Sequence, residues 1–150
     1  MKRISALGLD VGKKRMGVAG CDGTGLIATG LTTIYRTSFA EDIKQLQSII
    51  EERKVEILVI GMPYSLDGTV GLQAQQVQKF ANKIAKILQL PVEYVDERLT
   101  SVEAEAQLKN NKQFSTRDKG AIDRRAAAII LQQWLDMRRM KKMKDEKDKR

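Results

Sequence analysis

The chain has 150 residues, 42% of them apolar, with 27 Lys/Arg against 19 Asp/Glu for a net charge of +8. That suffices for one compact domain with a buried core, and no apolar run approaches the ~20 residues that span a bilayer. Zero histidines and a single cysteine, Cys21, exclude Ser-His-Asp triads, Cys-His pairs, histidine-based and multi-cysteine zinc sites, and an internal disulfide.

In chain order, Ile4–Leu9, Met16–Cys21 and Ala28–Tyr35 are predicted strands. The turn-rich stretches Gly12-Lys13-Lys14 and Asp22-Gly23-Thr24-Gly25 join them into an antiparallel meander. The basic start "MKRISALGLDV" has too short an apolar part for a signal peptide, so a reducing cytoplasm is the expected location. Phe39–Glu52 carries Ile43, Leu46, Ile49 and Ile50 at helical spacing. Val55–Ile60 reads as a buried strand ended by Gly61-Met62-Pro63. Leu72–Leu88 is a second helix, and Val92–Val95 a fifth strand running into Asp96-Glu97-Arg98. Thr100 and Glu103 fit a capping box for a short helix to about Leu108. A polar stretch, "KNNKQFSTRDKG", precedes the last helix, Lys119–Leu135.

Residues 1–138 form the expected domain, and 139–150 a basic C-terminal tail. Residues 136–150 hold eight Lys/Arg against four Asp/Glu, so half of the net charge lies there. Mixed signs and three methionines suggest a solvated extension of the last helix rather than a binding arm. The order β-β-β-α-β-α-β-α-α predicts an α/β fold: a five-stranded mixed sheet, strand order 3-2-1-4-5, flanked by helices on both faces. That is the ribonuclease H-like order.

Without histidine, hydrolysis must use carboxylates, lysine or metal-activated water, and carboxylates favour Mg²⁺ or Mn²⁺. Sites in such sheets form beyond the carboxyl ends of the parallel strands. Asp10 lies at the end of the first strand, where it either holds a metal or caps the hairpin turn. Asp96 and Glu97 end the fifth and point to opposite faces, so one of them can join Asp10. The intervening strand separates these ends by roughly 10 Å, twice the ~4.8 Å strand spacing. Gly61, ending that strand, leaves a gap for them or simply terminates it. Asp123 shares a helix face with Ala126, Ala127, Ile130 and Trp134. A carboxylate on a core-facing stripe needs a partner, either a metal or Lys119 one turn earlier. Small Ala126 and Ala127 let this helix lie close to the sheet and bring Asp123 near the strand ends. Three such acids would hold one or two Mg²⁺ or Mn²⁺ ions against a phosphodiester. Lys13, Lys14, Arg15, Lys109, Lys112, Arg117 and Lys119 are candidate contacts to the nucleic-acid backbone. Arg98 is an ion partner for Asp96 or a phosphate contact. Asp67-Gly68 in "YSLDGT" reads as a turn.

The stretches "GLDVGKKRMGVA", "VIGMPYSLDGT", "VDERLTSVEAE" and "KGAIDRRAAAIILQQWL" together resemble the YqgF/RuvX family of ribonuclease H-like nucleases. The resemblance covers about residues 4–135. It implies a cytoplasmic bacterial protein that matures the 5′ end of precursor 16S rRNA with a divalent metal. Its acidic residues carry over onto Asp10, Glu97 and Asp123, choosing Glu97 over Asp96. Where the family commonly has a small residue after the last aspartate, this chain has Arg124-Arg125. Arg124 is a phosphate contact or a competitor for the ion, turned ~100° from Asp123 on the helix. Two other activities fit the same residues: a Holliday junction resolvase-type DNA endonuclease, and a non-catalytic RNA-binding module. The first stretch also resembles the phosphate loop of actin/sugar-kinase ATPases, which need two such domains. A monomer or weak dimer is expected.

Overall fold

The computed structural model describes residues 3–64, 67–96 and 118–148. Five strands, β1 (Ala6–Val11), β2 (Arg15–Cys21), β3 (Ala28–Tyr35), β4 (Ile57–Met62) and β5 (Val92–Asp96), form one sheet. Its order is β3-β2-β1-β4-β5, as the element pattern requires. β1 to β3 are antiparallel neighbours, and β1, β4 and β5 run parallel. Three helices complete the described chain: α1 (Phe39–Arg53), α2 (Leu72–Leu88) and α3 (Lys119–Asp148). The short helix expected near Thr100–Leu108 lies outside the described residues. No helix among the described residues is long and apolar enough to cross a membrane.

Strand alternation divides the central strands between two cores. Leu7, Leu9 and Val11 of β1, with Leu58, Ile60 and Met62 of β4, pack with α1 and α2. Ala6 of β1, Ala19 and Cys21 of β2, and Val59 of β4 pack with Ala127, Ile130, Leu131 and Trp134 of α3. Asp10 and Gly61 fall by the same alternation on the α3 side.

The helix ends have local causes. Ser38 is extended at φ −129° and its hydroxyl accepts from the Glu41 amide at 3.2 Å, starting α1. Lys54 and Gln89 end α1 and α2 in the left-handed conformation, with φ of 53° and 55°. Asp118 accepts from the Ala121 amide at 2.9 Å and starts α3. Asp67 accepts from the Thr69 amide at 3.0 Å, and Gly68 has φ 87°, so Asp67-Gly68 is the expected turn.

Several element ends shift by one or two residues from the sequence reading, β1 from Ile4–Leu9 to Ala6–Val11 and the start of β4 from Val55 to Ile57 among them. Two differences matter here. β4 continues through Gly61, which pairs with Val95, so this glycine sits within the ladder and does not end the strand. α3 runs on to Asp148, thirteen residues past Leu135, carried by strong helix formers with exposed Met140, Lys141, Lys142 and Met143. That stretch is the solvated helical extension its composition suggests.

The turn after β1 is held from behind by Arg36. Its Nη1 donates to the Gly12 carbonyl at 2.6 Å, and its Nε to Asp42 at 3.2 Å. Asp42 is 2% exposed, and the guanidinium also lies 4.6 Å from the centre of the Phe80 ring. Arg36→Met would strand a buried carboxylate. It is expected to lower stability by about 3 kcal/mol, read as a shift of the urea midpoint at unchanged slope.

Candidate active site

Glycines let α3 settle onto the sheet. A Cβ on Gly17 of β2 would lie 2.0 Å from the Asp123 carbonyl oxygen. On Gly8 of β1 it would meet Leu131 Cβ at 2.7 Å and the Ala127 carbonyl at 2.9 Å; on Gly30 of β3, Arg124 Cβ and carbonyl oxygen at 3.1 Å. Only residues without a side chain permit so close an approach. Ala126 and Ala127, to which the sequence reading ascribes it, are buried in the same contact. The strand glycines contribute as much. Their signal in the sequence is a glycine inside a strand-like run, a mark of close backbone approach.

This contact fixes where the acids stand. Asp10 is the direct cross-strand partner of Gly17, so the two share a face, and Gly17 touches the backbone of Asp123. Asp10 and Asp123 therefore lie on one side of the sheet, at the carboxyl end of β1. Asp10 belongs to the ladder rather than to the turn, which closes beyond it with the Gly12 amide donating to Arg15 at 2.9 Å. The ion partner of Asp123 is Arg15, from the start of β2, and not Lys119. Arg15 Nε donates to Asp123 Oδ2 at 2.6 Å. Lys119 is one helical turn away but exposed, whereas Arg15 lies two residues before Gly17 on the strand face that meets the helix. Strand parity also puts Arg15 diagonal to Asp10, at roughly 7 Å between their backbones.

The other residues distribute as follows. Asp96 pairs with Met62 in the ladder and shares its face, so it points to the α1/α2 side, away from Asp10. Glu97, Arg98, Lys109, Lys112 and Arg117 lie outside the described residues. Among the described residues no three metal-ligating side chains converge. Arg124 crosses to β3, where its Nη1 donates to the Thr33 hydroxyl at 3.3 Å. That hydroxyl in turn donates to the Gly120 carbonyl at 2.7 Å. Arg124 is thus held aside from Asp10, as its rotation on the helix implies. Lys13 and Lys14 are exposed in the turn. Lys13 borders a cleft of about 380 Å³ shared with Arg36, Gln73 and Phe80. The cations of "KKR" therefore divide, Arg15 toward the acids and Lys13 toward the α1/α2 side.

Sheet order, the long helix over its β1–β3 side and the acid at the end of the central strand define a ribonuclease H-like domain. The backbone agrees: Thermus thermophilus RuvC, solved in complex with a Holliday junction substrate, superposes with a TM-score of 0.53 at 13% identity. The match covers 85% of this chain and 91% of that one, and shows the fold. The profile of the RuvX family, described as Holliday junction resolvase, matches residues 4–137, and the chain belongs to that family. A protein of Rippkaea orientalis named as a pre-16S rRNA nuclease is 74% identical over 139 residues, covering 93% of this chain and 100% of its own length. Relatives of the same name from Crocosphaera subtropica and a Synechocystis species are 68% and 64% identical, covering 93% and 92% of this chain and 97% and 91% of their own. The chain is accordingly a nuclease, a hydrolase of phosphodiester bonds.

Proposed function

We propose that the chain is a divalent-metal-dependent endo- or exonuclease that trims the 5′ end of precursor 16S rRNA in the cytoplasm. The observation that supports this reading is that Asp10 and Asp123 lie on one face at the rim of the sheet, linked through Gly17. The rRNA substrate is argued from the names of relatives at 64–74% identity. The donor set fits a hard cation: two carboxylates from different elements share a face, and one of them already balances a positive charge, Arg15. Asp10, Asp123 and Glu97 would hold the ion. Asp96 is turned to the other face, which leaves Glu97 as the acid of that pair to be tested. Bound there, Mg²⁺ or Mn²⁺ supplies charge neutralisation at the phosphodiester and a lowered pKa for the attacking water.

The chain's own cations hold the substrate. Lys14 in the turn after β1 and Lys119 at the start of α3 are exposed, as is Lys13 on the α1/α2 side of that turn, and each phosphate they neutralise adds salt-sensitive affinity. Arg98, Lys109, Lys112 and Arg117 extend that set in sequence. Arg124 is committed to Thr33, and any phosphate it contacts lies toward β3. Purified chain is expected to cleave precursor 16S rRNA with Mg²⁺ or Mn²⁺ and not with chelator. Preference for a four-way DNA junction over the precursor would move the substrate to branched DNA. Tight RNA binding with no cleavage under either metal would reduce the chain to a binding module.

A further inference from the structure

We infer that Arg15 is a built-in counter-ion for Asp123, a positioning residue that a divalent cation must displace to reach this carboxylate. The inference rests on the metal-site reading above and adds a competitor to it. The ion pair joins residues 108 positions apart, at 2.6 Å. Both partners are held from the backbone. Arg15 stands at the head of β2, and Asp123 sits where its own carbonyl presses on Gly17 of that strand. Side-chain exposures of 28% for Arg15 and 17% for Asp123 make the pair partly shielded yet open on one side. A guanidinium in that position does two things. It holds the Asp123 carboxylate in place on the face it shares with Asp10 through the 2.6 Å contact to Oδ2. It also charges any entering cation the free energy of breaking the pair. Once displaced, Arg15 has a path to solvent, next to exposed Lys14, where phosphate would approach.

A competing internal ligand weakens apparent metal affinity by the factor that its own interaction supplies. Arg15→Gln is therefore expected to tighten Mn²⁺ binding by roughly fivefold, the factor for an ion pair at the upper end of the half-exposed range. Arg15→Lys, which keeps the charge, stays near wild type. The probe is Mn²⁺ alone, titrated into the full chain and followed by electron paramagnetic resonance, with Asp10→Asn and Asp123→Asn run beside it. Wild-type chain supplies a second readout that needs no variant to fold. The Arg15 Nε–H resonance should move toward its free position as Mg²⁺ is added, with the midpoint of metal binding.

Tighter Mn²⁺ binding in Arg15→Gln, or a Nε–H resonance that tracks Mg²⁺, supports the displacement. If both aspartate variants lose Mn²⁺ while Arg15→Gln binds it no tighter and the resonance stays put, the pair is merely structural. The metal site would survive that result. If neither aspartate variant changes Mn²⁺ binding, the metal-site reading fails and the displacement with it.

Discussion

Asp10→Asn is expected to abolish cleavage while leaving the fold intact. The substitution keeps size and shape but removes the charge that would hold the cation, and a metal contributes several kcal/mol to the transition state. At 1.36 kcal/mol per decade, that corresponds to a fall on the order of 10³-fold in kcat. Asp123→Asn should lose activity to a similar degree, with an added stability cost of about 1 kcal/mol from the broken Arg15 pair. The checks are single-turnover cleavage of the precursor and thermal unfolding of each variant. An Asp10→Asn protein that retains cleavage within a few-fold of wild type would remove Asp10 from the chemistry.

The contrast between these two variants follows from their surroundings. Asp123 has a documented structural role through Arg15, so loss of activity there is ambiguous unless stability is measured alongside. Asp10 lies on the same sheet face and at the same strand end, and its substitution leaves the Arg15–Asp123 pair in place, so stability is measured for both variants.

Much of this arrangement was legible in the sequence, for physical reasons that differ by element. The spans of α2 and β3 are read to the residue, because hydrophobic spacing and the flanking turns leave one register each. The sheet order followed from chain order, since an antiparallel trio feeding right-handed crossovers has few ways to close. Asp10 stood out as an acid in an apolar run, and Asp123 as an acid on an apolar stripe. The extension of β4 through Gly61 was hidden, because a glycine before Met-Pro looks like a stop when viewed alone. The partner of Asp123 was hidden more deeply. A helix offers Lys119 at the right spacing, and only the meeting of β2 with α3 in space substitutes Arg15. Strand parity places Asp96 alone: pairing with Met62 commits it to the α1/α2 side, which residue type did not reveal.

Gly17→Ala tests that meeting of strand and helix directly. The added methyl would sit 2.0 Å from the Asp123 carbonyl oxygen, 2.5 Å from its carbonyl carbon and 3.2 Å from the Arg124 nitrogen. All three are backbone atoms, so no rotamer change relieves the clash; α3 must move off β2 by roughly 1 Å or more to restore van der Waals separation. Overpacking of this kind costs about 3 kcal/mol. A 1 Å displacement of Asp123 would lower cleavage by roughly 10²-fold even in the molecules that stay folded. Gly20→Ala is the matched control in the same strand. The three atoms nearest its methyl all belong to the guanidinium of Arg53, at 2.7–2.8 Å, the far end of a flexible side chain that can swing aside at the cost of its hydrogen bond to the Cys21 carbonyl. Thermal unfolding and cleavage should therefore separate the two variants, with Gly17→Ala losing both properties and Gly20→Ala keeping both. Equal behaviour of the pair would mean that α3 is not seated on β2 at this point. Asp123 would then owe its place beside Asp10 to the Arg15 ion pair alone, and Arg15→Gln should scatter it.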